Sequence, residues 1–132
     1  GAQHNDKRMR VSKPTAIPAT RMAMSLPETW LRPSHLPAYL TITQQLAPQV
    51  ETLVATGSGL LDMCELAAGR VDSVFVLGLE EQDMQVGTLL LKEAGALMGT
   101  PDGKPTVNAE SQLMAAGPRL YKALIKQLAP HF

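Results

Sequence analysis

Two short stretches of this 132-residue chain combine residue types and spacing that could do chemistry. The first is Thr56-Gly57-Ser58-Gly59. Small residues let an anion approach the main chain, and free amide N–H groups at a helix start favour negative charge. The plainer reading is a strand-to-helix turn capped by Ser58. The second is Gly78-Leu79-Glu80-Glu81-Gln82-Asp83, with three carboxylates in its last four residues. A hard cation such as Mg²⁺ takes carboxylate and phosphate oxygens. The plainer reading here is a set of acidic side chains that complement the dipole of a following helix.

Elsewhere the chemistry thins out. No Walker A loop, zinc motif or catalytic triad is present. His4, His35 and His131 lack ligand spacing and are expected at the surface. Lys7, Arg8, Arg10 and Lys13 form a small basic cluster, as do Arg119, Lys122 and Lys126 on one helix face. Solvation accounts for both, and nucleic-acid contact is the weaker alternative. Cys64 is the single cysteine, which rules out an internal disulfide and suits a reducing cytoplasm.

The elements that must position the two stretches follow from periodicity. A strand is expected between Thr15 and Met24, with Pro18 marking an edge or bulge. Pro27, Pro33 and Pro37 punctuate a loop into a helix capped by Ser34, with Leu36, Tyr39, Leu40, Thr43 and Leu46 at helical spacing. Thr52 to Thr56 reads as a strand, and Ser58 to Ala68 as a helix with Leu60, Leu61, Cys64, Ala67 and Ala68 inward. Val74 to Leu79 carries no polar side chain and predicts a buried central strand, flanked by the strands at Thr52–Thr56 and Gln112–Ala116. A helix follows over Gln82–Ala94, with Val86, Leu89, Leu90 and Ala94 inward. Ala96 to Gly99 reads as a strand, Pro101-Asp102-Gly103 as a turn, and Gly117-Pro118 opens a last helix. Together these predict an α/β fold: a mixed, largely parallel sheet with flanking helices.

Composition sets the outer bounds. Apolar residues make up 45% of the chain and charged residues 18%, enough for a core in one domain spanning residues 1–132. Twelve basic residues balance twelve acidic ones, so no global field draws in nucleic acid or an anionic membrane. No apolar run approaches the ~18 residues a bilayer span needs, and the polar, basic start from Gly1 to Lys13 has no signal-peptide core.

Both candidate stretches resemble the inositol monophosphatase family. Gly57-Ser58-Gly59-Leu60-Leu61-Asp62, running on to Ala67-Ala68-Gly69-Arg70-Val71-Asp72, is similar to the family's G-[ST]-A-A-L-x…V-A-x-G-R-x-D segment. Gln82-Asp83-Met84-Gln85-Val86-Gly87 followed by Glu93-Ala94-Gly95-Ala96 resembles W-D-x-A-A-G…E-A-G-G. Gly1 to Asp6 with Arg10-Val11-Ser12 resembles a mid-chain hairpin of family members, so residues 1–14 read as a hairpin and linker. Pro118-Arg119 stands where the family has N-P-R.

The resemblance implies the C-terminal α/β layer of a layered sugar-phosphatase fold. It further implies part of a Mg²⁺-dependent hydrolase of phosphorylated small molecules, inositol phosphate or a related sugar phosphate. Asp83 takes the place of a metal ligand, while Gly57 and Ser58 lie on the substrate side. Val76 stands where inositol monophosphatases carry a Glu that contacts the sugar ring. Gln82 replaces the signature Trp, and Gln85-Val86 the Ala pair. The upstream Glu ligand and D-P-x-D-G-T motif are absent from this sequence, so no catalytic residue is assigned in this chain alone. The expected partner is therefore an N-terminal half or, as a homodimer, a second copy. A non-catalytic binding or regulatory derivative is the alternative.

Overall fold

The computed structural model describes residues 3–4, 7–105 and 111–132, with 3–4 and 7–8 described by backbone alone. The chain opens with a two-stranded antiparallel pair, β1 (Gln3–His4) and β2 (Lys7–Arg8). Gly1, Ala2, Asn5 and Asp6 of the expected hairpin lie outside the described residues. A five-stranded sheet follows, made of β3 (Arg21–Met24), β4 (Thr52–Val54), β5 (Ser73–Leu77), β6 (Leu97–Gly99) and β7 (Gln112–Ala116). Its spatial order is β4-β3-β5-β7-β6. β3 runs parallel to β4 and β5, and β7 is antiparallel to both β5 and β6. Only β7 is reversed, so the sheet is mixed and largely parallel.

Strand alternation divides the core cleanly. Val74 and Val76 of β5 face α2 (Gly59–Ala67) and α3 (Glu81–Glu93), packing with Met63, Leu66, Met84 and Leu91. Phe75 and Leu77 face α1 (Arg32–Leu46) and α4 (Pro118–Leu128), packing with Ile42, Leu46, Leu120 and Leu124. Every residue of β5 is buried, as a strand covered on both faces must be.

Several expectations require correction. The neighbours of β5 are β3 and β7; β4 pairs with β3 and forms one edge. Hence the first strand is interior, and Pro18 lies before it rather than in an edge strand. α1 starts at Arg32, two residues before Ser34, and is capped by Leu31 without a side-chain bond; it takes in both Pro33 and Pro37. Pro33 is tolerated because first-turn amides have no helical acceptor to lose.

The buried face of α1 is His35, Ala38, Ile42 and Leu46, which leaves Leu36 and Leu40 exposed. His35 is therefore a core residue, under Gly78 and within hydrogen-bond distance of Gln112. α2 buries Asp62, Met63, Leu66 and Ala67 and exposes Leu61. α3 buries Met84, Gly87 and Leu91 and turns Val86 and Leu89 to solvent. α2 and α3 meet where Gly87 lies flush against Met63, leaving no room for a side chain. Among the described residues, no helix is long and apolar enough to cross a membrane.

Candidate functional site

The connections leaving β3 and β5 diverge at their carboxyl ends. The chain after β3 enters α1 on one face, while the chain after β5 enters α3 on the other. Such a switch point opens a crevice beyond the strand ends, where ligands of open α/β sheets bind. Here it is a cleft of about 280 Å³ whose lining includes Gly57, Ser58, Val76 and Asp83. All four residues singled out in the sequence thus meet in one place.

The Thr56–Gly59 loop is held by a buried carboxylate. Asp62, fully buried, accepts through Oδ1 from the Thr56 hydroxyl (2.6 Å) and the Thr56 N–H (3.1 Å). Its Oδ2 accepts from the Ser25 hydroxyl at 2.6 Å. Ser25 Oγ in turn accepts from the Gly57 N–H at 3.1 Å, and Thr56 Oγ1 from the Ser58 N–H at 3.2 Å. Gly57 sits at φ +94°, a left-handed conformation that glycine adopts without strain. Ser58 is the α2 N-cap, accepting from the Leu61 N–H at 3.3 Å. The anion-cradle and helix-cap readings therefore coexist, with a restriction. The amides of Gly57 and Ser58 are consumed internally, while those of Gly59 and Leu60 have no protein acceptor among the described residues. The latter two, with the Ser58 hydroxyl, are what this loop can offer an anion.

Asp83 enters the cleft from the first turn of α3, half-buried, and forms no ion pair or hydrogen bond among the described residues. Glu80 is the N-cap and Glu81 the first helical residue, both exposed. The three carboxylates do not converge: among the described residues, no group of three or more His, Cys, Asp or Glu is placed to hold a metal. Asp83 fits a Mg²⁺ ion as one hard oxygen donor, with the other positions left to groups outside this set.

Val76, at 2% exposure, forms the cleft floor; its Cγ1 stands 3.0 Å from where a Cβ on Gly59 would be. That approach leaves little room for a side chain on Gly59, where the resembled motif has Ala. Gln82, which stands in place of the signature Trp, is exposed, as are Gln85 and Val86. Asp62 and Ser25 were missed in the sequence because a carboxylate on a helix reads as solvated. The available signal was its position inside the apolar run Leu60-Leu61-Asp62-Met63.

The chain belongs to the inositol monophosphatase family, whose model matches residues 1–131. It is 32% identical over 128 residues to the Nus factor SuhB of Vibrio cholerae, covering 97% of this chain and 47% of the relative. To the Nus factor SuhB of Pasteurella multocida it is 31% identical over 130 residues, covering 98% and 48%. The extragenic suppressor protein SuhB of Bartonella henselae superposes with a TM-score of 0.83 at 26% identity, over 97% of this chain and 49% of that one. The inositol monophosphatase of Anabaena shares the fold, with a TM-score of 0.82 at 22% identity over 98% of this chain and 52% of that one. The chain thus spans about half the length of the curated relatives it matches.

Proposed function

We propose that this chain supplies one side of the active site of a Mg²⁺-dependent phosphate-monoester hydrolase acting in the cytoplasm. The observation that carries the reading is the meeting of Gly57, Ser58, Val76 and Asp83 in one cleft at the sheet's switch point, in a chain of this family. When bound, the metal would supply Lewis-acid activation of water and neutralise developing charge on the phosphoryl oxygens. Asp83 offers one carboxylate oxygen to it, with no basic side chain paired to it among the described residues. The Gly59 and Leu60 amides and the Ser58 hydroxyl orient an anionic substrate group. Asp62, through Ser25 and Thr56, fixes the loop that presents them.

One carboxylate cannot hold a Mg²⁺ cluster, so the remaining ligands come from an N-terminal half. The test is phosphate release from phenyl phosphate and from inositol phosphate at millimolar Mg²⁺, with the chain alone and with the N-terminal half of the Vibrio cholerae relative. The isolated chain should show no turnover and the reconstituted pair should. Asp83→Asn should abolish the gain while leaving the circular dichroism spectrum unchanged. Robust turnover by the chain alone that survives Asp83→Asn would overturn the site.

A non-catalytic binding or regulatory role is the second reading. It is favoured by the exposed Gln82, Gln85 and Val86 around Asp83, and by relatives that carry the name Nus factor. Failure of turnover even after reconstitution would select it.

A further inference from the structure

The cleft mixes polar and apolar groups: Ser25, Ser58, Glu28, Glu80 and Asp83 line it together with Val76, Leu79, Leu26, Leu31 and Trp30. Val76 is buried, whereas Leu26 and Trp30 are exposed. Trp30 is the chain's single tryptophan and is 74% exposed, an unusual state for the largest apolar side chain. It is not adrift: its Nε1–H donates to Glu28 Oε2 at 3.0 Å, and the Leu31 and Arg32 amides bond the Glu28 carbonyl at 2.8 and 3.2 Å. The ring is therefore oriented in advance, as a stacking surface needs to be.

From this we infer that the cleft takes the phosphate monoester of a flat, aromatic alcohol in preference to that of a polyol. The inference deepens the hydrolase reading and rests on it. A polyol needs a hydrogen-bond partner for each hydroxyl that leaves water, and Val76 and Leu79 have none to give. Of the two further carboxylates in the lining, Glu28, which holds Trp30 through Oε2, and Glu80 are both exposed, so neither replaces water at the buried Val76. An aromatic body instead covers Val76 and Leu79 and stacks on Trp30, leaving its phosphate toward Asp83 and the α2 start. Trp30 and Val76 are thus the residues that set specificity.

Nuclear magnetic resonance titration of the chain at millimolar Mg²⁺ tests this without any need for turnover. The signals followed are the Trp30 indole N–H and the amides of Ser58 and Gly59. Phenyl phosphate should bind at least tenfold more tightly than inositol 1-phosphate or inorganic phosphate, and it alone should shift the indole signal. Trp30→Ala, an exposed change that spares the core, should bring phenyl phosphate down to the affinity of inorganic phosphate and leave the latter unaltered. If inositol 1-phosphate binds as well as phenyl phosphate, or Trp30→Ala has no effect, the inference falls while the hydrolase reading stands. If none of the three ligands binds saturably, even with the relative's N-terminal half added, both fall together. An indole shift that follows protein concentration without ligand would show a second copy on Trp30, and would overturn the inference as well.

Discussion

Asp62 is fully buried among residues that in sequence look like an ordinary apolar helix face, and it organises the loop beside the cleft. Replacing it with Ala strands the buried Ser25 hydroxyl, at a cost of roughly 1–3 kcal/mol, and also removes the acceptor of the more exposed Thr56 N–H and hydroxyl. Asp62→Ala should lower unfolding stability by about 2–4 kcal/mol in urea titration, and Asp62→Asn by about half, because the amide oxygen still accepts from Thr56. Equal losses would mean that shape, not hydrogen bonding, decides. Cys64, on the same helix, gives a second test. Burial pushes its thiol up, Glu65 adds to the effect and Arg70 opposes it. A raised thiol pKa means less thiolate at a given pH, so a disulfide reagent should modify Cys64 several-fold more slowly than free cysteine at pH 8. The gap should narrow as pH rises past the ordinary thiol value. Asp83, Gly57, Ser58 and Val76 could be located in the sequence because their motifs are local. Asp62 and His35 could not, since their partners, Ser25, Thr56 and Gln112, are brought to them by the fold.

At the scale of elements, legibility followed how much of the signal was carried by neighbours in sequence. β5 has no polar side chain over Val74–Leu77, and α4 repeats Leu120, Leu124 and Leu128 at helical spacing, so both could be placed from pattern alone. The inward faces of α1 and α3 could not, because each helix also carries leucines that face solvent: Leu36 and Leu40 in one, Leu89 in the other. Strand order was equally hidden, as the α2 crossover carries the chain past β3 before β5 forms. Two glycines at strand–helix junctions around the cleft separate backbone strain from steric clash. Gly57 lies at φ +94° with nothing within 4 Å of where a Cβ would stand, whereas Gly78 lies at φ +79° with the His35 ring 2.7 Å from that point. Gly57→Ala should cost about 1 kcal/mol, from the left-handed conformation alone. Gly78→Ala should cost roughly 2–4 kcal/mol, since strain and overpacking add, and it should also shift the amide signals of Leu79 and Asp83. Chemical denaturation of the two variants side by side checks the difference; equal costs would show that His35 yields freely.

For the molecule as a whole, the question is what covers its outer helix faces. Val86 and Leu89, three residues apart on α3, are 58% and 60% exposed, and Leu61 on the adjoining α2 is 53% exposed. Isolated apolar residues at a surface need no explanation, but Val86 and Leu89 follow one another on α3 and Leu97, 40% exposed, stands beside Leu89, so we propose this side of α3 as an interaction face. The relatives are about twice as long as this chain, and under the proposed function the cover would be an N-terminal half or, in its place, a second copy. Sedimentation velocity of the chain at tens of micromolar should therefore show reversible self-association, replaced by a one-to-one complex when the relative's N-terminal half is added. Val86→Lys with Leu89→Glu should weaken both associations at least tenfold. The same pair should change unfolding stability by no more than about 0.5 kcal/mol per site, because neither side chain contributes to the core and exposed substitutions of this kind are nearly neutral. The contrast matters: a core role would lower stability and association together, while an interface role lowers association alone. A chain that stays monomeric at high concentration and ignores the added half would show that the exposed face of α3 needs no cover.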